Sequence, residues 1–75
     1  MRDAETRRFW LQRDADITGI SGTGIVATGV EFADGQVAVK WLGQWTSLVI
    51  WPDIEALIHV NGHGGKTRIV WLDPA

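Results

Sequence analysis

The 75-residue sequence predicts an all-β domain, a small five-stranded barrel with one short helix before the last strand. Three observations support this fold class. The dipeptide Asp34-Gly35 is a favoured hairpin turn, and it lies between two runs of alternating apolar residues. Further short apolar runs, bounded by glycine and proline, read as additional strands. The segment after Pro52 instead repeats its apolar residues at helical spacing.

The central hairpin has the strongest local signal. A two-residue turn at Asp34-Gly35 would fix the register of both strands. The predicted cross-strand pairs are Phe32 with Val37, Val30 with Val39, and Thr28 with Trp41. Because side chains alternate along a strand, all six are expected on one inner face. Gly29, in mid-strand, predicts a bulge or a sharp bend.

The first half of the chain adds one strand and one loop. Residues 9–12 are predicted to form the first strand, after an N-terminal segment 1–8 that is expected to be frayed, with a helix over the polar residues 1–6 as the alternative. The glycine-rich segment 18–24 is predicted to be an ordered loop that enters the second strand. The sequence as a whole, residues 1–75, is expected to form a single domain.

The second half supplies the remaining elements. Residues 45–51 form a predicted strand that is apolar on both faces and is therefore expected to be covered on both sides. Asp53 is expected to cap a short helix, and Asn61-Gly62 to end that helix in left-handed conformations. The apolar face of this helix is predicted to carry Ile54, Leu57 and Ile58. Residues 67–72 form the last strand.

Composition limits the classes of function. The sequence contains no cysteine, which excludes disulfides and thiolate metal sites, and its net charge of −2 does not favour non-specific DNA binding. A domain of this size buries little surface by itself, so we expect a homo-oligomer. The apolar run 9–11 is too short for a signal peptide or a membrane span, which predicts a cytoplasmic protein.

Two resemblances sharpen the fold. The segments 24–27 and 30–41, Gly-Ile-Val-Ala and Val-Glu-Phe-Ala-Asp-Gly-Gln-Val-Ala-Val-Lys-Trp, are similar to the core hairpin of Tudor- and KOW-type barrels, which implies an SH3-like barrel. From Phe9 to Trp71 the chain also resembles a group of small proteins from actinobacteria and their phages. That resemblance implies an accessory protein of an infecting phage, acting in the host cytoplasm. It brings no assigned reaction and no assigned site residues.

Catalysis is not expected. The candidate nucleophiles and bases, Ser21, Ser47, His59 and His63, have no catalytic motif around them. Two histidines do not fill a tetrahedral metal site, so neither a metal nor a cofactor is predicted. The protein is therefore expected to bind something rather than to act as an enzyme.

The glycine-rich segment before the last strand is the predicted ligand-binding loop. Backbone amides without a neighbouring Cβ can turn towards an anion, and lysine and arginine add charge. The segment ends in Gly-Lys-Thr but lacks the first glycine and the flanking elements of a nucleoside-triphosphate loop. An ordinary helix stop followed by a loop explains the same residues. The predicted ligand contacts are His63, Gly64, Gly65, Lys66, Thr67 and Arg68.

Five tryptophans are a large excess for a chain of this length. Trp45, in a polar turn, is the predicted exposed residue on which a base could stack. Trp10, Trp51 and Trp71 alternate away from their apolar neighbours and are predicted to lie at a subunit interface, with packing in the core as the simpler explanation.

Three functions remain open from sequence. The first is a phage anti-defence protein that sequesters a nucleotide-type anionic small molecule. The second is a protein-interaction module that binds and inhibits a host protein, as SH3-like barrels commonly bind peptides. The third, nucleic-acid binding, rests on analogy of fold alone.

Overall fold

A computed structural model describes residues 5–14 and 24–74 of the chain. These residues form one antiparallel sheet whose strands lie in the spatial order β4-β3-β2-β1-β5. The elements are β1 (Arg7–Arg13), β2 (Gly24–Glu31), β3 (Val37–Trp41), β4 (Ser47–Trp51), α1 (Ile54–Asn61) and β5 (Thr67–Trp71). The predictions for residues 1–4 and 18–23 lie outside the described residues.

The five strands and the helix before the last strand are confirmed, but the predicted SH3-like barrel is wrong in its closure. In the described part of the chain, β4 and β5 are the two edges of an open sheet and do not pair with each other. Helix α1 joins them in sequence and packs against both. The helix therefore covers the inner face between the two edges, where strand pairing would otherwise close a barrel.

The core lies between the inner face of the sheet and α1. The inner face is defined here as the face that carries Phe9 and Leu11, and the outer face as the opposite one. The fully buried large side chains are Phe9, Leu11, Leu57, Val37 and Val39. The partly buried side chains packed against them are Trp41, Trp51, Ile54, Ile58, Ile69 and Trp71. Among the described residues, no helix is long and apolar enough to cross a membrane.

The turn between β2 and β3 lies where it is predicted, but it is one residue longer. The Phe32 amide donates to the Gln36 carbonyl over 2.8 Å, which leaves three residues in the loop, and Gly35 there has φ 95°. Val39 consequently faces Gly29, and Val30 faces Ala38. The predicted register is therefore wrong.

This change of register moves three side chains to the other face. Thr28, Val30 and Phe32 lie on the outer face, whereas Val37 and Val39 stay in the core. Side chains alternate between the two faces of a strand. One extra residue in the turn therefore moves every side chain of one strand to the opposite face relative to its partner. The outer face gains two apolar side chains and a hydroxyl from this reversal.

The bulge predicted at Gly29 and the left-handed conformation predicted at Gly62 are also wrong. Strand pairing is regular at Gly29, and the irregularity lies instead between Leu11 and Gln12. Gly29 is required because the Phe9 ring lies directly over it: an added Cβ would come 2.4 Å from Phe9 Cζ. Gly62 has φ −74°, not a left-handed conformation, and an added Cβ there would come 2.5 Å from the Ile58 carbonyl oxygen.

The termini of α1 otherwise follow the prediction. The Asp53 side chain accepts a hydrogen bond from the Ala56 amide over 2.7 Å, which caps the first turn. Leu57 is buried, and Ile54 and Ile58 pack against the core on the same face. The helix is thereby anchored at its start by a cap and along its length by apolar contact.

Two further expectations fail at the sheet margins. Strand β4 is covered on one face only, because Leu48 and Ile50 are 68% and 53% exposed on the outer face. Arg7 and Arg8 are not frayed: both belong to β1, and both bond to Asp73 beyond β5. The contacts with Asp73 tie the start of the first strand to the chain after the last one.

Candidate binding site on the outer face

The predicted glycine loop is exposed, but two of its amides are used within the loop. Gly64 and Gly65 have φ 66° and 91°, and both are exposed together with Lys66. The amides of Gly65 and Thr67 donate to the Gly62 carbonyl over 3.1 Å and 3.0 Å. These two amides therefore close the turn rather than point towards a ligand. The His63 side chain lies outside the described residues, so its contact stays a prediction.

The polar side chains that follow the loop are partnered to the end of β1. The buried Thr67 hydroxyl accepts a hydrogen bond from Arg13 Nε over 2.9 Å. Arg68 Nε lies 3.2 Å from Asp14 Oδ2, and the Asp14 amide donates to the Lys66 carbonyl over 2.7 Å. Of the predicted cations, Lys66 is the one with no carboxylate partner among the described residues.

Trp45 and the glycine loop lie at the same end of the sheet but at opposite edges. Trp45 follows β3 and precedes β4, and its side chain is 84% exposed, as expected for a stacking residue. The loop precedes β5, which forms the opposite edge of the sheet from β4. Trp45 and the loop therefore belong to different edges, and their roles in binding stay predictions.

The three tryptophans predicted at an interface lie in different surroundings. Trp51 and Trp71 pack against the core from the inner face. Trp71 meets Phe9 edge to face, with ring centroids 5.3 Å apart, and Arg7 Cζ lies 3.6 Å from the centroid of the Trp71 ring. Trp10 points to the outer face and is 38% exposed. Trp51 and Trp71 thus contribute to the core and Trp10 is exposed, and a role of the three at a subunit interface stays a prediction.

Trp10 lies in a groove on the outer face that the sequence analysis did not predict. We call it the outer groove; its volume is about 370 Å³. Its lining residues are Arg8, Phe9, Trp10, Thr28, Gly29, Val30, Ala38, Lys40, Leu48 and Leu72. Cross-strand pairing brings these lining residues together, because directly paired residues on successive strands form one row across the outer face. That row runs Val70, Trp10, Thr28, Lys40, Leu48.

The groove combines an aromatic ring, a hydroxyl and a cation on an apolar floor. Trp10 and Lys40 stand on β1 and β3, two strand spacings or about 10 Å apart, with Thr28 between them. That separation is the length scale of a nucleotide, with a base at one end and a phosphate at the other. Ala38 and Val30 provide apolar surface in the neighbouring row.

The two cations of the groove differ in their electrostatic state. Arg8 donates from Nη2 to Asp73 Oδ1 over 2.8 Å and from Nε to Oδ2 over 2.9 Å. These hydrogen bonds, together with one from the Arg8 amide, hold the pKa of the Asp73 carboxyl well below its usual range. No carboxylate partners Lys40 among the described residues. Of the two groove cations, Arg8 is thus neutralised by Asp73, whereas Lys40 has no such partner in the part of the chain that the structure describes.

The pairing of Arg8 with Asp73 predicts a dependence of stability on pH. Because the pKa of Asp73 is depressed in the folded chain, its stabilisation is present above the ordinary value of 3.8 and is lost as the pH falls below it. We expect Asp73→Asn to lower the melting temperature at pH 7, and this deficit to shrink progressively towards pH 2. Thermal denaturation of both proteins across that range measures it. A deficit that stays constant with pH would contradict the pairing.

The sequence contained one usable signal for the outer groove. Trp10 alternates with Phe9 and Leu11, which places it correctly on the opposite face. A two-residue turn would place Thr28 on the inner face, and the row that joins it to Trp10 and Lys40 exists only with the three-residue turn. In the described part of the chain, no group of three or more histidines or carboxylates could hold a metal ion.

Comparison with known proteins gives one result. A family model described as Acb5 phage protein matches residues 6–73, which span every strand and the helix. Neither the curated proteins nor the solved structures gave a match.

Proposed function

Because the chain belongs to the Acb5 phage protein family, whose name suggests an anti-CBASS-type phage protein, we propose that it binds a nucleotide-type anionic signal of host defence in the outer groove. Binding would withdraw that molecule from its receptor in the cytoplasm of the infected cell. The observation that supports this best is Lys40, which has no carboxylate partner in residues 5–14 and 24–74, on an apolar floor with the exposed Trp10 at the other end.

Each side chain of the groove has a role in this proposal. A base stacks on the Trp10 indole, since base–aromatic stacking accepts every base. A phosphate accepts a charge-assisted hydrogen bond from the Lys40 ammonium group. The Thr28 hydroxyl, between the two, bonds to the sugar or to a second phosphate oxygen. Apolar contact with Val30 and Leu48 excludes water from these polar bonds.

We propose binding without chemical conversion of the ligand. None of the described residues that line the groove is a histidine, an aspartate or a glutamate, the side chains that most often transfer protons in catalysis. His59 is exposed on α1, in a separate surface depression with Asp53 and Glu55. The groove thus supplies attraction and shape, and the described part of its lining offers neither an imidazole nor a carboxylate for proton transfer.

Calorimetry with matched variants tests the site. We expect one or more members of a panel of cyclic dinucleotides, linear dinucleotides and ADP-ribose derivatives to bind the wild type. Lys40→Met should weaken that binding by about tenfold to a hundredfold, as loss of a charged hydrogen bond costs about 1.5–3 kcal/mol. Trp10→Leu should weaken it by a similar factor through lost stacking, worth about 1–3 kcal/mol per base.

Two control variants separate the outer groove from the glycine loop. Lys66→Met removes an exposed cation and Trp45→Ser an exposed indole, and both residues lie outside the groove. Both should leave the affinity unchanged. If Lys66→Met and Trp45→Ser abolish binding while Lys40→Met does not, the ligand binds at the loop predicted from sequence, and the proposal that it binds in the outer groove is wrong. Mass spectrometry of the incubated ligand must return the intact molecule, because a product of altered mass would exclude simple sequestration.

Inhibition of a host protein is the second candidate, favoured by the exposed apolar side chains of the outer face. Infection assays in a host that carries the defence system discriminate between the two. Loss of phage protection by Lys40→Met supports sequestration, because the apolar surface remains. Full protection by that variant would favour an apolar protein interface instead.

A further inference from the structure

Strand β4 forms one edge of the sheet and lacks the usual protection of an edge. Its sequence, Ser47–Trp51, contains no charged residue, no proline and no bulge, and Pro52 follows only after the strand has ended. Soluble proteins commonly protect such edges with lysine, proline or irregular pairing, because the unpaired backbone otherwise recruits another strand. Leu48 and Ile50 are moreover exposed on the outer face.

The hydrogen bonds of the neighbouring strands show which backbone groups of β4 are unpaired. Phe32 donates to the Gln36 carbonyl and Leu42 to the Val26 carbonyl, so even-numbered residues of β3 bond to β2. Odd-numbered residues of β3 therefore bond to β4, where their partners are also odd-numbered. Leu48 and Ile50 must then point both N–H and C=O away from the sheet.

We infer that β4 pairs with β4 of a second copy in an antiparallel arrangement centred on Val49. This register places Leu48 opposite Ile50 of the second copy, and Ile50 opposite its Leu48, in two hydrogen-bonded pairs with four backbone bonds in total. Val49 lies opposite its own equivalent across the two-fold axis. This one register therefore gives hydrogen-bond partners to the outward-pointing backbone groups and places each exposed apolar side chain beside another.

Three features of the chain specify a second copy as the occupant. The strand is self-complementary, since its two exposed apolar side chains lie symmetrically about Val49. It carries no charged side chain that would lie near its own equivalent in the second copy. The Lys40 residues of the two copies would be separated by three strand spacings, about 14 Å, which is beyond the Debye length at physiological salt. A 75-residue domain without cysteine also gains from burial of further apolar surface.

Single-cysteine variants test the register directly, because the natural chain has no cysteine. At Val49 the two Cα atoms would lie about 4.5 Å apart, as in a non-hydrogen-bonded antiparallel pair, which is within the range for a disulfide. We expect oxidised Val49→Cys to run as a covalent dimer on a non-reducing gel. Ser47→Cys is the matched control. In this register the two copies of residue 47 are offset by four residues along the strands, about 14 Å apart, and should not cross-link.

Mass measurement by light scattering completes the test. The wild type should have twice the chain mass of 8.3 kDa, and Ile50→Lys should return it to the monomer through charge at the centre of the interface. Val60→Lys, at an apolar position of α1 that is 59% exposed, should remain dimeric and controls for the added charge. A monomeric wild type, a dimer that survives Ile50→Lys, or cross-linking at Ser47→Cys in preference to Val49→Cys would each overturn the pairing.

Discussion

Replacing Gly29 with alanine is expected to lower the free energy of unfolding by about 2–3 kcal/mol, the cost of forcing extra volume into a packed core. The new Cβ would stand 2.4 Å from Phe9 Cζ, 2.7 Å from Phe9 Cε2 and 3.0 Å from the Ala38 carbonyl oxygen. Phe9 is fully buried, so its ring cannot move aside into solvent. Urea denaturation followed by tryptophan fluorescence, at one fixed protein concentration, measures the loss.

A double-mutant cycle attributes this loss to the contact between the ring and the strand. Phe9→Leu alone should destabilise the protein, since it leaves a cavity in the core. In its presence Gly29→Ala should cost much less than in the wild type, with a coupling of about 1–2 kcal/mol, because leucine leaves room for the methyl group. Strictly additive effects would show that Gly29 is needed for its backbone conformation and not for the approach of Phe9.

Leu57→Ala is expected to be the most destabilising truncation within α1, at about 2–5 kcal/mol. Leu57 is the one fully buried side chain among the described residues of the helix, and it packs into the cluster that contains Val37 and Val39. Its removal leaves a cavity between the helix and the inner face of the sheet. The same urea experiment, with circular dichroism as a second readout, measures the change.

Val60→Ala provides the matched control in the same helix. Val60 is exposed, so its truncation should change the free energy of unfolding by no more than about 0.5 kcal/mol. If the two substitutions had equal effects, α1 would contribute through its helical conformation alone, and its packing over the open sheet would be of no consequence to stability.

The fold was predictable where local chemistry acts alone. Asp34-Gly35 does form the turn, Asp53 does cap α1, and Leu57 does face the core, because each depends on residues close in sequence. The extra turn residue was not predictable from the same dipeptide, since two- and three-residue loops can both use a glycine with positive φ. Closure of the barrel depends on long-range placement of β4 and β5, which no local pattern encodes.

The register could not be recovered from alternation of side chains for a specific reason. The rule assumes one apolar face and one polar face, and it therefore assigned Val30 and Phe32 to the core with Val37. Both faces of this sheet carry apolar side chains, so alternation has no means of choosing between two registers. The outer groove was lost for the same reason, although the outward direction of Trp10 was predicted correctly.

The three-residue turn also bears on how relatives of this chain should be compared. Deleting one codon within residues 33–35 would shorten the loop to two residues, and either β2 or β3 would then have to present its opposite side. Thr28 and Lys40 would no longer be neighbours, although every other position of the sequence was identical. An alignment gap at this place would therefore indicate that a relative presents a different set of side chains on its outer face, even where the aligned residues are identical.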